Sequence, residues 1–145
     1  MKKNTAFIVF IILAGLSSRI AAQNLFIAPM VESTIVGIQY GGSAGYLTKK
    51  SFSFAAFYLR SKAQSEIWPS QQVVFYGIQS SIPLVRSSKL LFGGNVRAGL
   101  ANNQFVVVVP GVETRIKITS RFYSVIGASW RYGHAAINTS LVIKL

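Results

Sequence analysis

Strict two-residue alternation, short basic turns and aromatic residues gathered at two heights predict an all-β chain. They point to a single antiparallel up-and-down transmembrane β-barrel of about eight strands, behind a cleaved signal peptide. The alternation is plainest from Gly111 to Trp130. Val112, Thr114, Ile116 and Ile118 alternate with Glu113, Arg115 and Lys117. After the turn Thr119-Ser120-Arg121, Phe122, Ile126, Ala128 and Trp130 alternate with Tyr123, Gly127, Ser129 and Arg131. Period two gives a strand two unlike faces. Here one face carries Glu, Arg and Lys and the other ends in aromatics, the arrangement of a hairpin with lipid outside and a polar interior.

The N-terminus reads as a secretory leader. Lys2 and Lys3 precede an apolar run from Ala6 to Leu16, and Ser17, Ser18, Ala21 and Ala22 supply small residues. Such a run is too short to span a bilayer comfortably. Cleavage is placed after Ala22, so residues 1–22 form the signal peptide and 23–145 one barrel domain. Removing Lys2, Lys3 and Arg19 with the leader lowers the net charge from +12 to +9. That balance raises the question of nucleic acid. The charges, however, are scattered singly along strands and turns, and an exported chain does not meet nucleic acid. Anionic lipid, lipopolysaccharide or an acidic envelope protein fit better. The chain has no cysteine, hence neither disulfide nor lipid-modified thiol. No stretch after the leader approaches 18 apolar residues, so a barrel is the remaining way to cross a membrane.

Three compact basic turns set the strands: Thr48-Lys49-Lys50-Ser51, Arg86-Ser87-Ser88-Lys89 and Thr119-Ser120-Arg121. Reading outward gives strands at 25–31, 34–47, 52–62, 72–85, 89–101, 105–118, 122–132 and 136–145. The even count puts both ends on the periplasmic side. The first strand is short, and Pro29 within it cannot donate a ladder hydrogen bond. The one sizeable outer loop is Ala63–Gln71, with Trp68 as either a partner anchor or a membrane-interface residue.

Lipid-facing aromatics fall at two heights. Tyr46, Phe52, Phe54, Phe92 and Phe122 lie beside the short turns; Tyr58, Tyr76, Trp130 and Tyr132 lie toward the other rim. Paired girdles are expected at the two membrane interfaces. The competing reading is the core of a soluble sandwich. The opposite face holds nine of the glycines: Gly37, Gly41, Gly45, Gly77, Gly93, Gly99, Gly111, Gly127 and Gly133. Eight strands leave an interior just wide enough for side chains, and glycine makes room for Gln39, Gln79, Asn95, Lys117 and Lys144 among others. The lumen is therefore expected to be filled.

Glu113 is the one acid placed inward, because Glu32 and Glu66 fall at or near outer loops. A buried carboxylate needs a partner, and Arg97, Arg115 and Arg131 lie within reach. They form the expected lumen ion-pair network, which is structural unless it relays protons or anions. No metal or cofactor set exists: the chain has one His, no Cys and no Asp. His134 lies in a late position similar to the histidine of the lipid A deacylase family. Ala136 stands where that family's serine belongs, and no acid comes after it, so the likeness fails at the residues that carry the chemistry.

The Pro-Gly-Val-Glu-Thr-Arg run (110–115), the Gly-Ala-Ser-Trp-Arg-Tyr-Gly run (127–133) and the Ala-Gln ending of the leader are similar to barrel proteins of Bacteroidetes-type envelopes. The chain resembles small eight-stranded outer-membrane barrels of outer-membrane-protein-A or X-like architecture. The resemblance implies an outer-membrane location. A chain this short cannot build a wide porin. The expected role is a non-enzymatic structural or accessory subunit of an envelope complex. The alternative is a small lipid-modifying enzyme or a lipid- or ligand-binding barrel. The distinctive surface is a basic periplasmic rim of Lys49, Lys50, Arg86, Lys89 and Arg121, suited either to anionic headgroups or to an acidic partner.

Overall fold

The computed structural model describes residues 25–35, 37–61, 73–131 and 133–145. The expected signal peptide, the loop at 63–71 with Glu66 and Trp68, and Val36 and Tyr132 lie outside the described residues. Eight strands form: β1 (Leu25–Thr34), β2 (Gly37–Leu47), β3 (Ser53–Ser61), β4 (Val74–Arg86), β5 (Leu90–Ala101), β6 (Phe105–Lys117), β7 (Phe122–Arg131) and β8 (His134–Lys144). Each pairs antiparallel with the next, and β1 pairs with β8 to close the barrel. No helix occurs among the described residues.

The turns arise from local chemistry. Between β2 and β3, Ser51 takes a positive φ of 65°. Its amide donates to the Thr48 carbonyl at 2.9 Å, and the Thr48 hydroxyl accepts from the Phe52 amide at 3.0 Å. Between β6 and β7, the Thr119 hydroxyl accepts from the amides of Arg121 and Phe122, each at 3.2 Å. At the opposite end, Asn102 and Asn103 both adopt left-handed backbone, which asparagine tolerates better than most residues. The three basic turns and the strand ends near Leu25 and Lys144 share one end of the barrel, called here the turn end; the other is the loop end.

The first strand departs from expectation. β1 runs ten residues, three beyond Val31, and pairs along its length with β2 from Leu25↔Tyr46 to Thr34↔Gly37. Pro29 does not end it. The β1–β8 ladder instead skips Ala28 and Pro29 between Ile27↔Ile143 and Met30↔Ser140, where proline has no N–H to give. Alternation therefore continues past the proline and carries Glu32 inward. β8 likewise begins two residues early, at His134. Gly133, expected on the inward face, sits in the β7–β8 turn with φ +79°.

β4 and β5 hold a second irregularity. Their ladder jumps from Pro83↔Gly93 to Val85↔Phe92, so Leu84 is an extra residue. A bulge reverses the facing of the residues beyond it. Arg86 consequently stands opposite Leu91, on the lumen side of the sheet.

The lumen face carries more apolar residues than the alternation pattern revealed. Met30, Phe57, Leu59, Phe75, Val107 and Val109 pack with Ala101 toward the loop end. Phe26, Ala28, Leu47, Ala55, Val125 and Val142 pack toward the turn end. Phe57 and Phe75 meet edge to face at 4.7 Å between ring centroids.

Gly77 and Gly99 stand directly opposite each other on β4 and β5. A Cβ on either would lie 2.1 Å from a carbonyl oxygen of the facing strand, Ala98 or Tyr76. Backbone itself fills the space there. Gly99→Val should destabilise the barrel by about 1–3 kcal/mol through overpacking, read from urea unfolding in micelles. Gly94→Ala, whose new methyl meets only the Gly111 carbonyl at 4.0 Å, should stay within about 0.5 kcal/mol of the wild type.

Candidate functional site

Glu32 is fully buried in the lumen, not at an outer loop as the sequence suggests. With β1 cut at Val31, the residue falls into a loop; with β1 whole, it lies between Gln39 of β2 and Asn138 of β8 in register. Its Oε2 accepts from Nη1 of Arg97. Arg97 is on β5, four strands away in either direction round the eight-stranded ring. The pair therefore crosses the barrel along a diameter.

A second arginine completes this group. Arg131 Nη1 donates to Gln39 Oε1 at 2.8 Å and lies 4.0 Å from Glu32 Oε1. Its guanidinium sits 4.1 Å from the centroid of the Phe75 ring, a placement that favours a cation over an aromatic face. Arg97 Nη2 also donates to Ser129 Oγ at 2.9 Å. Arg97 and Arg131 are 2% and 3% exposed.

Glu113 forms a separate group nearer the turn end. Its Oε1 accepts from Arg115 Nε at 2.6 Å and from Ser81 Oγ at 2.7 Å; its Oε2 accepts from Asn95 Nδ2 at 3.1 Å. Arg115 Nη2 reaches on to Ser53 Oγ at 2.8 Å. The single expected network is thus two: Arg97 and Arg131 gather on Glu32, and Arg115 alone pairs with Glu113. Both join non-neighbouring strands, as does Gln79 Nε2 donating to Ser43 Oγ at 3.1 Å between β4 and β2. A cavity of about 40 Å³ remains among these residues, bordered by Ser43, Asn95, Arg97, Glu113 and Arg115. It has room for about three waters.

The outer surface has the opposite character. Every strand exposes large apolar side chains, among them Val31, Tyr40, Tyr58, Ile78, Val96, Val108, Ile126 and Ile137. The expected girdle residues Phe54, Phe92 and Phe122 are exposed toward the turn end, and Tyr58 and Trp130 toward the loop end. Tyr46, Phe52 and Tyr76 are half-buried. Tyr76 donates its hydroxyl to Asn103 Oδ1 at 2.8 Å. Phe122 and Trp130 are eight residues apart on β7. At ~3.4 Å per residue and a tilt of ~40°, they differ in height by about 20 Å.

The rim residues Lys49, Lys50, Arg86, Lys89 and Arg121 are all exposed at the turn end. Arg86 is held there, donating to the Lys50 carbonyl at 2.7 Å and to Ser51 Oγ at 3.0 Å. His134 is exposed at the start of β8, opposite Arg131. Ser140 lies six residues further along the same strand, at register with Val125, so the two do not meet. Among the described residues, no three of His, Cys, Asp and Glu are grouped as a metal would need.

Removing Arg97 leaves the buried Glu32 with Arg131 alone, 4.0 Å away. Arg97→Met should lower stability in micelles by about 3 kcal/mol, and the double variant Arg97→Met/Glu32→Leu should recover only part of that loss, because Arg131 then keeps Gln39 and the Phe75 ring but no carboxylate. Urea midpoints of the wild type and both variants check the order.

No protein-family model matches the sequence, and no curated protein does. Solved structures do. The chain is similar to the N-terminal β-barrel domain of Pseudomonas aeruginosa OprF, at 15% identity and a TM-score of 0.60 over 83% of this chain and 98% of that one. It is similar to Neisserial surface protein A at 15% identity and a TM-score of 0.54, over 84% and 95%. It is also similar to the de novo designed barrel TMB2.3 at 14% identity and a TM-score of 0.65, over 85% and 94%. At such low identity the likeness is one of architecture: the chain has the fold of the small eight-stranded transmembrane β-barrels.

Proposed function

We propose that this is an integral outer-membrane barrel with a closed lumen, acting as a non-enzymatic structural or accessory component of a bacterial envelope. The observation that carries the reading is the Arg97–Glu32 bridge across the barrel diameter. A conducting pore needs a continuous polar path. Here the centre is occupied by a charge-assisted pair, and Phe57, Phe75 and Val109 pack around it toward the loop end. The exterior supports insertion in lipid. Soluble monomers rarely expose apolar patches beyond a few hundred Å², whereas this surface is apolar on all eight strands.

The turn end then faces the periplasm. Its exposed basic rim contacts anionic lipid headgroups or docks an acidic envelope protein. The non-enzymatic reading is supported by chemistry: His134 is exposed and faces Arg131 in the β7–β8 ladder, with Ser140 six residues further along β8. Both described carboxylates are held by arginines.

Carbonate and high-salt washes should leave the protein in the envelope fraction; recovery as a soluble monomer overturns the reading. In planar bilayers the wild type should give no steady conductance steps. Mass spectrometry of lipid A with and without the protein should show no change. Ile126→Arg, on the lipid side of mid-β7, should weaken assembly by about 2–4 kcal/mol, seen as loss of the heat-modifiable folded band.

A further inference from the structure

The turn end of the lumen opens into a pocket of about 150 Å³, walled in part by Lys89, Lys117, Lys144, Tyr123, Ser87 and Ser88. We propose that this pocket binds a phosphate group. Three observations converge on it.

The first is placement. The Lys117 amide donates to the Lys89 carbonyl at 2.8 Å, and the Lys144 amide donates to the Arg121 carbonyl at 2.9 Å. These backbone bonds fix β6, β8 and the β4–β5 turn around one mouth. The bulge at Leu84 adds Arg86 to the same side. The second is charge. Arg115 faces Glu113, and Arg86 is tied to Lys50 and Ser51. Lys89, Lys117 and Lys144 have no carboxylate partner among the described residues. Lys144 Nζ instead stands 4.9 Å over the Tyr123 ring. Three lysines thus line one concave site, and an anion bound there relieves the like charge that they gather. The third is size and lining. The volume is many times the roughly 10–15 Å³ one water requires. Lysines supply point charges and serine hydroxyls supply donors, a combination suited to phosphate oxygens.

The same chemistry has two sources. Leu90 lines the pocket and is also exposed on the lipid-facing side, so the phosphate of a lipid in the adjacent leaflet can enter sideways. A soluble phosphate can enter from the aqueous end. The inference is independent of envelope partners, since a barrel without this pocket function would still sit in the membrane.

The test uses the folded protein in uncharged maltoside micelles at constant ionic strength. Inorganic phosphate and a short-chain phosphatidic acid are titrated separately, with amide shifts of Ser87–Lys89, Lys117 and Lys144 followed by NMR. Saturable shifts at these residues are expected. Affinity should fall at least tenfold in Lys117→Gln/Lys144→Gln and change less than twofold in Arg60→Gln, which removes an exposed cation at the loop end of β3. A tenfold preference for phosphatidic acid assigns the site to lipid; equal affinity assigns it to the free phosphate group. Absence of saturation with both probes overturns the proposal, as does equal weakening in the two variants. If the double variant does not fold, Lys144→Gln alone is compared with Arg60→Gln.

Discussion

An ion pair drawn across the full width of the barrel governs the interior. Removing two charges from water costs several kcal/mol per ion, and only close geometry with further hydrogen bonds offsets it. The Arg97–Glu32 pair meets that demand from opposite walls, with Ser129, Gln39 and Arg131 closing around it. The requirement sets distances everywhere else. β1 must extend far enough to present Glu32, and eight strands must hold the walls at the reach of one arginine plus one glutamate. A wider ring would leave both charges unsatisfied.

Side chains on the two faces do different physical work. Outside, lipid tails are as apolar as leucine, so burial there gives no packing advantage of the kind that drives a soluble core. Cohesion comes from backbone ladders between neighbouring strands, which lipid cannot replace as water would, and from the lumen. There, two apolar clusters and two ion-pair groups interleave. The polar links join strands that are not neighbours, β6 to β3 and β4 to β2 among them. They brace the ring from within, as the ladders bind it along its circumference.

Strands, turns and faces were legible where one face was polar and the other apolar, as in β6 and β7. Period two is sufficient there. β3 reads apolar on both faces: with Phe54 and Tyr58 outward, alternation sends Phe57 and Leu59 inward, but nothing in the pattern marks that part of the lumen as an apolar core. Glu32 escapes for a local reason: the sequence ends the first strand at Val31 and leaves Glu32 to a loop, whereas β1 runs on to Thr34 and only its ladder to β8 skips Pro29. The facing of Arg86 was hidden by a one-residue bulge. Which arginine meets which acid could not be read at all. Those partners lie up to 65 residues apart for Arg97 and Glu32 and 92 for Arg131 and Gln39, and strand stagger, absent from any local pattern, decides the pairing.

The gap that Pro29 leaves in the β1–β8 ladder has a kinetic meaning. Seven of the eight strand pairings join consecutive strands and can form as hairpins and their extensions. The eighth brings Phe26 to Lys144 across nearly the whole described chain. Its loop-closure entropy is the largest in the molecule, and its hydrogen bonds are interrupted just where two edges must zip together. Closure is therefore the late step of assembly, and the same seam is the first to part. Glu32, seated on the closing strand, meets Arg97 only when the ring is complete, so the diametric pair acts as a latch on a door hinged everywhere else.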